Sequence, residues 1–381
     1  MNPSLADRIS NSVISKFHEL NKKGKPVIRS NGVKEWTVLS GIVSLIPIPT
    51  PNSEALDYFI DTLAVTTGVK STSNDTITKY SNGRLLHDCH AEVLALRAFN
   101  RFIIDETLKV QSGEISEYIA KCLETPKFKL KRDITFAMYI SEIPCGDSSL
   151  SLLANGEQET WNDDTITYLP NGVLRGREHY GLKGRVRTKP GRRDSPISLS
   201  KSCSDKLAIT QIKSLLNGLS SSVIEIEGFN LKWLVVPEGR VDLRDLKRSF
   251  HERLDMGNHC FQKIQFLETS LHHGWERSHD NDEQDPSNLG LVYIPNERIH
   301  ESILSSIKEG FYSKKTFIRK NGESALSRVR LFEQIKPLLK IDSSLTYTEF
   351  KARNNKYKEL KNRAYCSLGG WCSTSIDDFD I

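Results

Sequence analysis

Between Cys89 and about Val110 the apolar residues fall on helical spacing, with Val93, Leu96, Phe99, Ile103 and Ile104 on one side, and β-branched runs flank that stretch. Upstream, Thr37 to Ile46 reads as a strand stopped by Pro47, Pro49 and Pro51, and Leu56 to Thr66 as a second strand. Downstream, Ile134 to Ile143 reads as a strand that runs directly into Pro144-Cys145-Gly146-Asp147. The chain opens on an amphipathic helix, since Leu5, Ile9, Val13, Phe17 and Leu20 recur every three or four residues. Ser71 to Gly83 is polar and turn-rich, Ser204 to Leu219 and Asp242 to Leu254 read as helices, and Trp233 to Val236 as a short strand. Asp280 to Pro286 is an acidic loop, and Ser324 to Leu339 and Thr346 to Tyr365 are two late helices, the second strongly basic. Gly172 to Asp194 is Gly-rich, poor in apolar residues and loaded with arginine and lysine. Regular structure resumes on both sides of it, so it reads as a long functional loop.

At 381 residues the chain allows two domains or one large α/β unit. There is no internal repeat and no separate nucleic-acid-binding module, so one compact domain over 1–381 with large insertions is the expected organisation. A hydrophobic content of 38% with 27% charged residues excludes a disordered chain. The longest apolar run, around Ile42 to Ile48, is too short to span a bilayer, and Met1 to Leu20 lacks a signal-peptide core. The seven cysteines form no close C-x-x-C pair, which points to buried, metal-bound or free thiols in an intracellular, soluble protein of nucleus or cytoplasm. A net charge of +5 permits a polyanionic partner without demanding one.

Three short motifs carry the chemistry. His90-Ala91-Glu92 stands at a helix start. A zinc hydrolase needs three protein ligands, an open position for water, and a base that is not a ligand. His-x-Glu supplies one ligand and that base two residues apart; the blander alternative is a capping-region histidine with a solvated glutamate. Cys145 follows a strand, where the dipole of a succeeding helix would favour its thiolate; the alternative is a buried structural thiol beside a turn. Nucleobase deaminases combine H-x-E with P-C-x-x-C, but here Ser148 stands at the last position of that second motif. Ser202-Cys203-Ser204-Asp205-Lys206 then opens another helix 58 residues after Cys145.

H-A-E, P-C-G-D and S-C-S-D-K in this order resemble the deaminase domain of the double-stranded-RNA and tRNA adenosine deaminases, over roughly Trp36 to Trp371. The resemblance implies a cytidine-deaminase-like α/β fold: a three-layer sandwich with a mixed central sheet, helices on both faces, and C-terminal helices added. It makes His90, Cys145 and Cys203 the ligands of one catalytic zinc, and Glu92 the proton shuttle in the conversion of adenosine to inosine. Cys89, Cys122, Cys260, Cys366 and Cys372 have no such context and are taken as structural.

Members of this family bury inositol hexakisphosphate. The matching residues here are Arg97, Lys206, Arg328, Tyr347, Lys351, Tyr357, Lys361 and Trp371, with Asp88, Lys189 and Lys206 matching a polar relay to the zinc. Without the resemblance, the basic C-terminal helix would read as a solvated face. Ile209, Thr210, Thr374 and Leu96 depart from the pattern of the RNA-editing enzymes, so a different contact set is expected.

Within the family, double-stranded-RNA editors carry separate RNA-binding domains ahead of the deaminase, for which this chain leaves no room. Pro190-Gly191-Arg192-Arg193-Asp194 also lacks the glutamate that matches their base-flipping residue. Both features favour the tRNA type, acting on the adenosine 3′ of the anticodon (position 37) of alanine tRNA, where the loop already presents unstacked bases. Arg175, Arg177, Arg185, Arg187, Arg192 and Arg193 are the candidate phosphate contacts. No membrane, DNA or obligate protein partner is expected. The alternatives are a deaminase of double-stranded RNA, an inactive RNA-binding relative, and a cytidine deaminase, the last disfavoured by the distance from Cys145 to Cys203.

Overall fold

Ser4 caps the first helix by accepting a hydrogen bond from the Asp7 amide at 3.1 Å, and α1 (Leu5–Glu19) follows as its spacing predicts, with Ile9, Val13 and Phe17 fully buried. The computed structural model describes residues 3–49, 57–154, 169–189, 193–240, 242–254, 261–278, 283–339, 345–374 and 377–381. Arg192, Cys260 and the Asp280 end of the acidic loop lie outside these residues.

An eight-stranded sheet forms the middle layer. Its strands are β1 (Leu39–Ile48), β2 (Asp57–Thr67), β3 (Thr135–Ile140), β4 (Leu231–Pro237), β5 (Gln265–Thr269), β6 (Leu289–Ile294), β7 (Ile299–Leu304) and β8 (Ile307–Lys308), in the order β5-β4-β3-β1-β2-β6-β7-β8. β4 is parallel to both β3 and β5, and the remaining pairings are antiparallel. The period-2 rule sorts the side chains: Ala137, Tyr139, Trp233 and Val235 pack with α1 on one face. Phe136, Met138, Ile140, Leu234 and Val236 pack on the other, with α3 (Ala91–Gln111). Helix α3 is buried almost all round, because the sheet covers one side and the later helices, among them α7 (Arg328–Ile335), cover the other. The mixed sheet with helices on both faces is the expected sandwich.

Several boundaries differ from the sequence reading. β1 does not stop at Pro47: Pro47 pairs with Tyr58, beyond the last β3 partner at Leu45, where one side of the strand is a free edge that tolerates a missing N–H. Ser71 to Gly83 contains α2 (Asn74–Tyr80), capped by Ser73. The helix expected over Ser204 to Leu219 breaks into α4 (Cys203–Ala208) and α5 (Thr210–Lys213), and the chain turns at Ser214 with φ +69°. Buried Asn100 holds that turn, donating to the Leu215 carbonyl at 2.9 Å and accepting from the Asn217 amide at 2.7 Å. Asp242 to Leu254 holds α6 (Leu243–Phe250) and one further turn. The last basic helix divides into α8 (Tyr347–Ala352) and α9 (Asn355–Ser367), because Asn354 caps the second. Gln284–Pro286 is a short strand pairing with Lys34–Trp36.

Candidate active site

His90 ends a short strand, Asp88–His90, and is at once the N-cap of α3, which puts Glu92 in that helix's first turn. Cys203 is the first residue of α4, whose cap Ser202 accepts from the Asp205 amide at 3.2 Å. Cys145 follows β3 and precedes a 3₁₀ turn, Asp147–Ser149, so the helix expected to polarise it begins only at Leu150. Gly146 permits the assembly: at φ +104° it passes so close to Ser202 that an added Cβ would lie 2.2 Å from the Ser202 Oγ. Ser148 donates to the Pro144 carbonyl at 2.7 Å and meets the Ser204 hydroxyl at 2.9 Å, locking the two cysteine loops together instead of offering a sulfur.

The result is a three-ligand group. The donor atoms of His90, Cys145 and Cys203 lie within 4.8 Å of one another, with His90 Nδ1 3.9 Å from Cys145 Sγ and 3.7 Å from Cys203 Sγ. The Cys203 thiol, by hydrogen bonding, pulls Cys145 well below the ordinary thiol range, Lys189 and His90 adding to the pull against the cost of burial. One imidazole and two thiols suit a borderline-soft divalent ion and leave a fourth position of a tetrahedron open. Glu92 is buried beside them, its Oε2 has no hydrogen-bond partner among the described residues, and burial raises its pKa. A buried carboxylate with a free oxygen among the described residues, beside one imidazole and two thiols, is what a water-activating site requires, so the residues fit a catalytic metal. His90, Glu92 and Cys145 line a cleft of about 2040 Å³.

Behind the ligands runs a buried polar chain. Asp88 accepts from Lys189 at 2.7 Å and from Ser200 at 2.7 Å, and Lys206 donates to it as well. The Lys189 ammonium also reaches Cys203 Sγ at 3.2 Å, so the chain from Lys206 to the ligand group is unbroken. The aspartates of both cysteine motifs are anchors rather than chemistry. Asp147 accepts from Gly184, Arg248 and Ser249, and Asp205 from Arg253 at 2.8 Å.

Lys206 leads into a second group of cations among C-terminal aromatics. The Arg328 guanidinium stands 5.9 Å and the Lys351 ammonium 5.0 Å from the Tyr347 ring, with Arg97 facing both Tyr347 and Arg328. Lys361 faces Lys351, Arg328 and Lys201, and burial with that repulsion pushes it down to about 8. Two cations went unnoticed in the sequence. Lys213, 5.7 Å from the Tyr357 ring, is pushed down to about 7 by burial and by Lys361 and Lys351. Lys201, almost fully buried, stands 5.4 Å from the Trp371 ring, which stacks on Tyr365 at 4.2 Å. Neither carried a sequence signal, for Lys213 sits in what reads as an ordinary helix and Lys201 just before a cysteine motif.

The basic loop divides. Arg187 is 1% exposed, and its guanidinium donates to the carbonyls of Gly176, Glu178, His179 and Leu182, so its assignment as a phosphate contact is corrected: it is the loop's internal brace. Arg175 donates to the carbonyls of Arg193 and Ser195 and is likewise committed to loop structure. Arg177 and Arg193 line the cleft, and Arg185 is exposed.

A helix-borne glutamate beside a His/Cys/Cys group, on a mixed sheet, defines a hydrolytic deaminase. Residues 64–375 match the adenosine-deaminase (editase) domain, and the chain belongs to that family. It is 34% identical to the tRNA-specific adenosine deaminase 1 of Saccharomyces cerevisiae, over 98% of this chain and 94% of that protein. It is 39% identical to the Schizosaccharomyces pombe protein of the same name over 59% of this chain and 55% of that one. The double-stranded RNA-specific editase Adar of Drosophila melanogaster is 27% identical over 58% of this chain and 32% of its own length. No described helix is long and apolar enough to cross a membrane.

Proposed function

We propose that this chain, as one domain over residues 1–381, hydrolyses adenosine to inosine in tRNA, at the adenosine 3′ of the anticodon (position 37) of alanine tRNA. The observation that carries the chemistry is the buried Glu92 carboxylate, its Oε2 without a partner among the described residues, beside the ligand group of His90, Cys145 and Cys203. A zinc ion on those three residues would supply the Lewis acidity that makes water nucleophilic near neutral pH. Glu92 takes one proton of the attacking water and passes it to N1 of the purine as C6 becomes tetrahedral, then takes the remaining proton from the new C6 hydroxyl and gives it to the departing amine; one water is consumed, the C6 carbonyl forms and ammonia is released. Burial favours the protonated carboxyl, which suits a group that must hold a proton between two transfers. Asp88 fixes Lys189, and Lys189 in turn orients the Cys203 sulfur.

The choice of tRNA is supported by the match to a tRNA-specific relative across nearly the whole of both chains. Support for an inositol hexakisphosphate cofactor comes from the cations facing one another around Tyr347, Tyr357 and Trp371: charges this close and this poorly solvated call for an anion of matching size. The contact set proposed is Arg97, Lys206, Arg328, Tyr347, Lys351, Tyr357, Lys361 and Trp371, with Lys201 and Lys213 added.

Incubating the purified protein with an alanine tRNA transcript and sequencing for inosine tests the reading. Inosine should appear at position 37 and not at adenosines of a long RNA duplex offered in parallel. Conversion of the duplex with the tRNA untouched would overturn the substrate assignment in favour of the double-stranded-RNA reading.

A further inference from the structure

The wall of the cleft carries an aromatic cluster that neither the metal nor the polyanion group uses. Tyr312–Ser313 and Phe317–Ile318 form a tight antiparallel hairpin, and Tyr312 and Phe317 line the same cleft as His90 and Glu92. The Tyr312 ring stands edge-on to Phe317 at 5.5 Å and is 49% exposed. Phe317 in turn stacks at 5.0 Å and 11° on Tyr80, the last residue of α2, which is itself 44% exposed. Phe317 is partly buried against Leu85, Ile307 and Ile318, which leaves the Tyr312 and Tyr80 rings half in water on either side of it.

Phe317 has φ +62°, a conformation that a bulky residue keeps only where the surroundings enforce it. The chain from Gly310 to Lys320 contains Lys314, Lys315, Arg319 and Lys320 and no acidic residue, and all four cations are exposed. Half-exposed rings interleaved with exposed lysines are the ingredients of a single-strand nucleic-acid platform, where ring faces take bases and lysines track phosphates.

We propose that the Tyr312–Ile318 hairpin, braced by Tyr80, is a base-stacking platform that takes an unpaired nucleotide beside the target adenosine, with Lys314 and Lys315 on the flanking phosphates. The proposal rests on the RNA-deaminase reading above and adds the means by which the neighbouring base is held outside the metal pocket. Tyr312 is a positioning residue: it touches RNA next to the reacting base, not the reacting atoms. A protein-docking role is disfavoured by the same charge, since a hairpin that carries Lys314 and Lys315 and is followed by Arg319 and Lys320 suits a polyanionic strand better than a mixed protein surface.

The test measures binding and turnover separately, on the full chain with its metal. Fluorescence anisotropy with an alanine anticodon stem-loop RNA reads affinity whether or not turnover occurs. Tyr312→Ala should weaken binding roughly 5- to 100-fold, the loss of one base–aromatic stack, and the same loss should appear in KM. Tyr312→Phe, which keeps the ring, should restore binding. Lys314→Ala with Lys315→Ala should lower the salt dependence of log Kd by about two. Melting curves of all variants should overlay the parent, because the changed groups are exposed. Unchanged affinity in Tyr312→Ala, or no rescue by Tyr312→Phe, would overturn the platform even if the wild-type protein deaminates tRNA. Wild-type protein that binds the RNA in a Tyr312-dependent way without making inosine would instead count against the enzymatic reading and leave the platform standing.

Discussion

Arg187 and Arg185 stand two positions apart in one basic loop, yet the fold treats them oppositely. Arg187 satisfies four backbone carbonyls with a guanidinium that sees almost no water, whereas Arg185 is exposed. Removing the first leaves several buried acceptors unpaired, each costing about 1–3 kcal/mol. Arg187→Ala should therefore lower the melting midpoint by several degrees, with any effect on RNA secondary to that loss. Arg185→Ala should melt like the parent and bind RNA more weakly, with a shallower salt dependence. Paired thermal melts and salt titrations check this, and a normally stable Arg187→Ala would show that the brace is dispensable. In the sequence both residues look alike, because composition registers charge but not the carbonyls that a folded loop turns inward.

At the scale of elements, the helix and strand periods were readable and the interruptions were not. α1, α3, β1, β2, β3 and β4 lie where periodicity puts them, since each buries a regular face against the sheet. The break at Ser214 comes from Asn100 on a distant helix, and a local pattern holds no record of that partner. The β6–β7 hairpin, which extends the sheet on the β2 side, was not read as strands at all. The ligand group was legible as three motifs because its chemistry demands those residue types. What brings them together, Gly146 against Ser202 and Ser148 against Ser204, became visible only in three dimensions. Lys201 and Lys213 went unread for the same reason: each matters through the cations it faces, not through its neighbours in the chain.

The whole molecule carries a charge problem that its pH dependence should expose. Lys213 and Lys361 are held near 7 and 8, against an ordinary 10.5, by burial and by mutual repulsion. Between about pH 7 and pH 10.5 the unfolded chain therefore binds more protons than the folded one, and stability without a counter-anion rises with pH across that window. A bound polyanion reverses the balance by attracting the charged forms. Inositol hexakisphosphate should thus raise the melting midpoint by several degrees at pH 7 and by less at pH 9, where part of the repulsion is already gone. Equal shifts at the two pH values, or none, would place the anion elsewhere or remove it from the account.

Beside that buried charge the same molecule holds a buried carboxylate at the ligand group, Glu92. The most direct measurement is single-turnover inosine formation in alanine tRNA by Glu92→Gln, with metal content determined on the same sample. The expected result is about one zinc per chain, an unchanged melting curve, and a rate lower by roughly 10²- to 10⁴-fold, the worth of a positioned acid–base group. Near-parental turnover by a fully metallated Glu92→Gln would contradict the account, because the acid–base role rests on the Glu92 carboxylate.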